Sequence, residues 1–368
     1  MVNASSLLNF GTTGLAVGDW LYSAYARTAP GYLPLDSYTT SYLVSSYPAL
    51  AAIVSPVVAP VSYVATARTL SASASWVGVT YGNGTFVAIS TGTSTAATSP
   101  DGITWTSRTL PTSGTWSCVA YGNGTFVAII SGSTTAATSP DGITWTQRTL
   151  SASLNWQSIT YGNGLFVVVD ATGNNNIITS PDGITWTNRT LATGQIWKKI
   201  TFGNGIFVIT SNGSTNVAVS TDGINWTTGV MTNTSSNAVA FGNGVFVALG
   251  LGVGTVAATS INGYDWTART LPSSNNWTSV VYGNNSFVAV ASGAAIAATS
   301  SDGITWTSRT LPSSSAWAAI TSGASKFVTV SSTSSTIAAT IDYAVTATTF
   351  VLPVVPARFG TTAYVKAT

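Results

Sequence analysis

The chain has 368 residues, only 6% of them charged, with a formal net charge of +2 and no histidine. Its acids are ten Asp and no Glu, and its bases are eight Arg and four Lys. This composition excludes histidine chemistry and a basic face for nucleic acid, and the single cysteine, Cys118, excludes a disulfide within the chain.

No stretch of about 18 apolar residues marks a membrane-spanning helix. The longest candidate, residues 47–65, is interrupted by Pro48, Pro56 and Pro60. The opening MVNASSLLNF lacks the basic start and long apolar core of a secretory signal. Residues 1–60 carry no repeat. Pro30-Gly31 marks a turn. Residues 45–54 read as a short helix, with a Ser cap, Pro48 in its first turn, and Pro56 and Pro60 barring its continuation.

From about Tyr63 a repeat takes over. SPDGITW stands at 99–105, 139–145 and 180–186, STDGINW at 220–226, SINGYDW at 260–266 and SSDGITW at 300–306. A decayed copy, TIDYAVT, begins at Thr340. The third position is Asp101, Asp141, Asp182, Asp222, Asn262, Asp302 and Asp342, at steps of 40, 41, 40, 40, 40 and 40 residues. Such a period means a stack or ring of like supersecondary units.

One unit reads from Trp116 to Leu150. SCVAY is strand a, Gly122-Asn123-Gly124 a hairpin turn, and FVAII strand b, apolar on both faces. TAATS is strand c, Pro140-Asp141-Gly142 the next turn, and ITWTQRTL strand d, with Ile143 and Trp145 alternating against Thr144, Thr146 and Arg148. Four short antiparallel strands joined by tight turns make a propeller blade. Each box Asp is placed to bond backbone N–H groups of its own turn, and each box Trp to pack between blades. Those Trp are Trp105, Trp145, Trp186, Trp226, Trp266 and Trp306.

The a–b hairpins number seven, counting Gly283-Asn284-Asn285 and Gly323-Ala324-Ser325, but only six strands d follow a box. A seventh ending, residues 65–70 (ATARTL), precedes the first hairpin and matches WTARTL at 266–271. The expectation is an all-β, seven-bladed β-propeller over residues 61–345, its last blade completed by this N-terminal strand.

The box resembles the Asp-box of sialidase-like propellers, Ser-x-Asp-x-Gly-x-x-Trp, shortened by one residue because Gly follows Asp directly. The termini carry a second resemblance. APGYLPLD at 29–36 and SYPALAAIV at 46–54, with TTFVLPVVPARFG at 348–360 and AYVKA at 363–367, look like the phage tail-collar module. Leu35, Ser37 and Val354 depart from that pattern. The resemblance implies a small α+β module split between residues 1–60 and 346–368, with the propeller inserted into it. It further implies a virion component at the phage tail, assembled in the host cytoplasm, trimeric, with other tail proteins as partners.

No phosphate loop, metal-ligand cluster or nucleophile–His pair is present, so no cofactor or metal is expected. Asn-Gly-Thr triplets such as Asn83-Gly84-Thr85 read as turns rather than glycosylation sites. Cys118, in an apolar strand, reads as core. A glycosidase needs a carboxyl pair, yet six of the ten acids hold the box position and the others, Asp19, Asp36, Asp170 and Asp265, are scattered. The chain is therefore expected not to be an enzyme. Two functions stay open: a tail-fibre or tail-tip protein whose propeller binds a host-surface glycan, and a purely structural decoration or docking platform.

The glycan reading has a candidate site. The a–b and c–d turns share one face and hardly vary, whereas the b–c and d–a connections share the other and do vary. Loops on a rigid scaffold are where binding residues concentrate. Asp170 with Asn174, Asn175 and Asn176 forms the longest b–c loop, and Trp197, Lys198 and Lys199 follow in the next unit. Trp197 is placed either to stack on a sugar or to pack between blades, as Trp116 and Trp156 do at the same repeat position.

Overall fold

A computed structural model describes residues 20–22, 32–34, 41–43, 56–57, 62–232, 235–344, 349–351 and 363–366, with side chains over 63–232 and 235–342. All regular structure among these is β-strand. The helix expected over residues 45–54 lies outside the described residues. The chain divides into two compact units, one formed by Met1–Ser62 with Tyr343–Thr368 and the other by Tyr63–Asp342.

The first unit is assembled from both chain ends. Strand Ala363–Lys366 lies between Trp20–Tyr22 and Tyr32–Pro34, and strand Thr349–Val351 lies between Ser41–Leu43 and Pro56–Val57. All four pairings are antiparallel.

The second unit is β-propeller-like, built of four-stranded antiparallel blades. One sheet consists of Trp116–Gly122, Thr125–Ile130, Ser133–Ser139 and Thr146–Leu154 in simple succession. The next follows as Trp156–Gly162, Leu165–Asp170, Asn176–Ser180 and Thr187–Thr190, then Ile196–Gly203, Ile206–Asn212, Asn216–Ser220 and Thr227–Val230. Elsewhere a single strand runs from the outer edge of one blade into the inner edge of the next. Thr267–Gly283, Thr307–Gly323 and Ser62–Gly82 do this. Strand Ser62–Gly82 also lies beside Ser335–Ala344, so the N-terminal segment supplies the outer strand of the last blade.

Turn chemistry fixes the hairpins. Asn123 and Gly124 both have positive φ (48° and 74°), the signature of a two-residue turn matched to strand twist. The boxes are tied internally. Asp141 Oδ1 accepts from Ile143 N at 2.8 Å and Thr144 N at 3.1 Å, Ser139 Oγ accepts from Gly142 N at 2.8 Å, and Trp145 Nε1 donates to Gly142 O at 3.0 Å. The expectation that Ile143 and Thr144 belong to strand d is corrected: the turn holds both, Ile143 is exposed, and the strand begins at Thr146. Two box carboxyl-derived bonds to successive N–H groups keep the backbone curled there, which prevents it from extending.

Packing between blades follows from strand b, buried on both sides. Phe126, Val127, Ala128 and Ile129 are all inaccessible. The inner-strand indoles Trp116 and Trp156 are fully buried in the seams between blades. Glycines allow the inner strands to approach closely. A Cβ on Gly82 would overlap the Tyr121 ring, one on Gly122 the Tyr161 ring, and one on Gly323 the Tyr81 ring. Each such ring is also held by the Phe of its own hairpin, as Tyr121 is by Phe126 at 4.6 Å between centroids. The series passes from blade to blade and returns from Gly323 to Tyr81, with Ser322 in place of a ring against Gly283.

Candidate functional site

In an antiparallel meander the b–c and d–a connections emerge together. Over residues 170–199 they differ from those of the second blade, while the fourth blade shares the short outer strand, Thr227–Val230, and the matching bond from Met231 N to Thr215 O at 2.7 Å. In the second blade the d–a segment continues as strand, and Leu154 O accepts from Gly132 N at 2.8 Å. In the third blade strand d stops at Thr190. The chain then lies against the 170–176 loop: Leu191 N donates to Asn175 O at 2.7 Å and Gln195 N to Asn174 O at 3.4 Å. Gly194 is required there, because a Cβ would sit 2.9 Å from Gly173 O.

The candidate residues are thus brought to one end of the inner strands but differ in accessibility. Asn174 is exposed, its Nδ2 donating to Thr172 Oγ1 at 2.9 Å. Asn175 is half-buried and donates to Leu191 O at 3.3 Å. Asn176 pairs with Thr190 as the first residue of strand c. Asp170 is fully buried, its carboxylate accepting from Thr172 N at 3.1 Å and from Thr172 Oγ1, so it shapes the loop from within. Trp197 is also fully buried, clustered with Val167, Val169 and Ile209 in the seam.

Trp197 nevertheless differs from its counterparts. Trp116, Trp156, Trp277 and Trp317 each donate Nε1 to the carbonyl four residues earlier, at 3.1–3.3 Å. With the d–a connection diverted, Trp197 Nε1 has no partner. Lys198 and Lys199 are both half-buried. Burial pulls the Lys199 ammonium below the ordinary lysine range, and Lys198 pushes the same way. The one ion pair among residues with described side chains is Lys326–Asp342, at 2.6 Å and remote in sequence.

Sequence reasoning did not single out the seam between the fourth blade (Ile196–Val230) and the fifth, which begins at Ser236. Ser236 stands where other blades have Trp, Met231 where they have Leu, and Gly229 where they have Arg. Aligning the units position by position would have exposed this cluster. A second unassigned feature is a cavity of about 350 Å³ over the opposite turns, lined by Ile261, Asn262, Asp265, Arg269 and Ile304. There Asn262 Nδ2 donates to Asp265 Oδ2 at 2.9 Å. No group of three or more His, Cys, Asp or Glu among the described residues has the disposition to hold a metal. Cys118 is buried, and its thiol is pushed up to about 12.

The fold is that of a β-propeller, and comparisons agree. The profile of the DUF6242 beta propeller domain matches residues 231–365. No curated protein matches the sequence. Virginiamycin B lyase from Staphylococcus aureus superposes with a TM-score of 0.68 at 13% identity, covering 76% of this chain and 99% of that one. YCF48 bound to D1 peptide gives 0.61 at 16% identity, covering 76% and 96%. The WD40 propeller domain of Doa1 gives 0.60 at 12%, covering 77% and 97%. At these identities the likeness establishes the fold alone.

Proposed function

We propose that the second unit is a seven-bladed propeller that binds a glycan on the host surface, and that the chain serves a bacteriophage as a tail-fibre or tail-tip protein. In this reading the first unit is the tail-collar-like module, which carries the homo-oligomer contacts, a trimer, and the attachment to other tail proteins on the virion. The boxes are a shortened Asp-box. Seven hairpins, with six glycine–ring contacts and one glycine–serine contact, Gly283 to Ser322, between successive inner strands, support the blade count. The quoted terminal blocks, and the pairing of both termini in common sheets, support the collar reading.

The observation that carries the binding function is the joined pair of irregular loops, Asn174 and Asn175 against Leu191 and Gln195, on the face where repeat geometry is relaxed. Asp170 holds the loop from inside, Asn174 and Asn175 offer amides to sugar hydroxyls, and Lys198 and Lys199 follow on the next inner strand, Ile196–Gly203. Binding without catalysis fits the carboxylates: those of the described boxes accept backbone N–H bonds. A neighbouring propeller is a lyase, and a histidine-to-alanine form of it is described as catalytically inactive. This chain has no histidine to supply such chemistry.

Replacing Asn174 and Asn175 together by Ala tests the reading. Folding should be retained and adsorption to host cells, or to isolated host glycan, weakened. Unchanged adsorption, with loss on altering the Gly-Asn-Gly face, would place recognition on the other side. The second reading, a structural decoration or docking platform, is favoured by the burial of Asp170 and Trp197. It predicts that no propeller loop variant affects adsorption.

A further inference from the structure

The seams between blades follow one rule. On the inner strand, the residue two places after the Trp position is small, and its cross-strand partner is aliphatic: Cys118 faces Ile129, Ser158 faces Val169, Ser279 faces Val290. The indole of the following blade closes the seam, as Trp156 does over Cys118 and Ile129.

Between the fourth and fifth blades all three positions change. Lys199 replaces the small residue, Thr210 the aliphatic one, and Ser236 the indole. Directly opposed residues of an antiparallel pair project to the same side, so Lys199 and Thr210 share this seam. Thr210 is fully buried, and its Oγ1 has no hydrogen-bond partner. Buried hydroxyls in folded proteins are nearly always satisfied, so an orphan calls for an occupant. Lys199 lies two residues in from the diverted loop, on the inner strand that starts at the irregular face. Both side chains leave the strand pair on the side of this seam, and the titratable groups that act on Lys199 are Lys198 and Cys118, not a carboxylate. A lysine and an unpaired hydroxyl so placed are complementary to an anion.

We propose that this seam is the anion subsite of the saccharide face: Lys199 Nζ and Thr210 Oγ1 donate to the carboxylate or phosphate of an acidic saccharide, with Lys198 adding charge at the entrance. The proposal rests on the saccharide-binding reading above and narrows it to acidic sugars. A neutral sugar leaves the desolvated ammonium unpaired, which is the source of discrimination.

The test uses the full chain, a uronate oligosaccharide, its carboxyl-reduced neutral counterpart, and inorganic phosphate. Wild type should bind the uronate at least about tenfold more tightly than the neutral sugar, the scale of one charge-assisted contact. Lys199→Met, which keeps an unbranched side chain one atom shorter and removes the charge, should retain the thermal midpoint and lose that discrimination. Acylation of Lys199 by acetic anhydride, read by peptide mass, should slow when the uronate is present, which keeps the question answerable if the variant misfolds. Equal binding of the two sugars to wild type overturns the acidic preference and leaves saccharide binding standing. Binding of neither sugar, with no protection of Lys199 by uronate, overturns both. Protection by phosphate alone, an adventitious ion only, also overturns the proposal.

Discussion

Arg68 Nε donates to Thr340 Oγ1 at 3.0 Å across 272 residues of sequence. Inside single blades the same bond joins Arg108 to Thr98 and Arg148 to Thr138, at 2.9 Å each across ten residues. The N-terminal segment thus reproduces, without a covalent turn, the outer-strand contact that a local hairpin makes elsewhere. Tyr63, at the start of that segment, donates to Ser286 Oγ at 2.5 Å and lies under Arg309 with 4.7 Å between guanidinium and ring.

Arg68→Ala should therefore lower stability by about 1 kcal/mol, the usual worth of one such bond. Removing residues 1–70 should have a larger effect, leaving an unpaired sheet edge that associates with other copies. Denaturant melts measure the first and size-exclusion chromatography the second. A monomeric, fully stable truncation would contradict the strand's assigned place.

Glycines of two kinds should respond differently. Gly122→Ala drives a methyl into the Tyr161 ring, a small-to-large change costing about 3 kcal/mol. Gly132, with φ of 73°, has nothing within 4 Å of a Cβ, so Gly132→Asn should cost well under about 1 kcal/mol. Parallel urea melts of the two variants would separate crowding from backbone strain.

At the last hairpin Ala324 and Ser325 adopt φ of 46° and 58°, where five turns have Asn-Gly and one has Asn284-Asn285. Ser325→Gly removes the Cβ from a left-handed position. It should raise stability by roughly 0.5–1 kcal/mol, visible as a higher thermal midpoint.

Acid should loosen the boxes. Backbone N–H bonds, led by those of Ile103 and Ile143, hold the Asp101 and Asp141 carboxyls below the usual carboxylate range, and the N–H of Asn225 does so for Asp222. A carboxyl depressed in the folded state adds stability that is complete above the unfolded value and disappears as pH falls through the folded one. The midpoint should thus be flat near neutrality and fall below about pH 4. Asn262 Oδ1 already accepts from Tyr264 N at 2.9 Å and Asp265 N at 3.0 Å. Changing Asp101, Asp141 and Asp222 together to Asn should accordingly shrink the acid-induced fall.

The repeat made the blade legible because its turns carry their own geometry: Asn-Gly demands positive φ, and Ser-x-Asp-Gly bonds itself. The N-terminal outer strand was legible for the same reason, since ATARTL preserves the Arg and Leu of its counterparts. The interior of the candidate site was not legible. Whether Asp170 faces solvent or its own loop depends on where Thr172 turns, and a sequence of Gly, Asn and Thr permits either. Trp197 was open between packing and ligand contact; its burial puts it in the seam, and its orphaned Nε1 depends on a diverted backbone that no residue type announces. The fourth seam escaped notice because Lys199 was read together with the loop that precedes it, whereas Thr210 and Ser236 are unremarkable singly and become informative only when cross-strand register brings Lys199 and Thr210 together.

The cut in the last blade also has a mechanical consequence. Every other described blade joins its third and outer strands through a box, whereas here Ser335–Ala344 and Ser62–Gly82 run as neighbours whose free ends both pass into the first unit. Tension transmitted through that unit divides between two adjacent stems and pulls neither past the other. Held by one terminus alone, the same pair would open like a zip, one bond at a time, with the Arg68–Thr340 contact among those broken in turn.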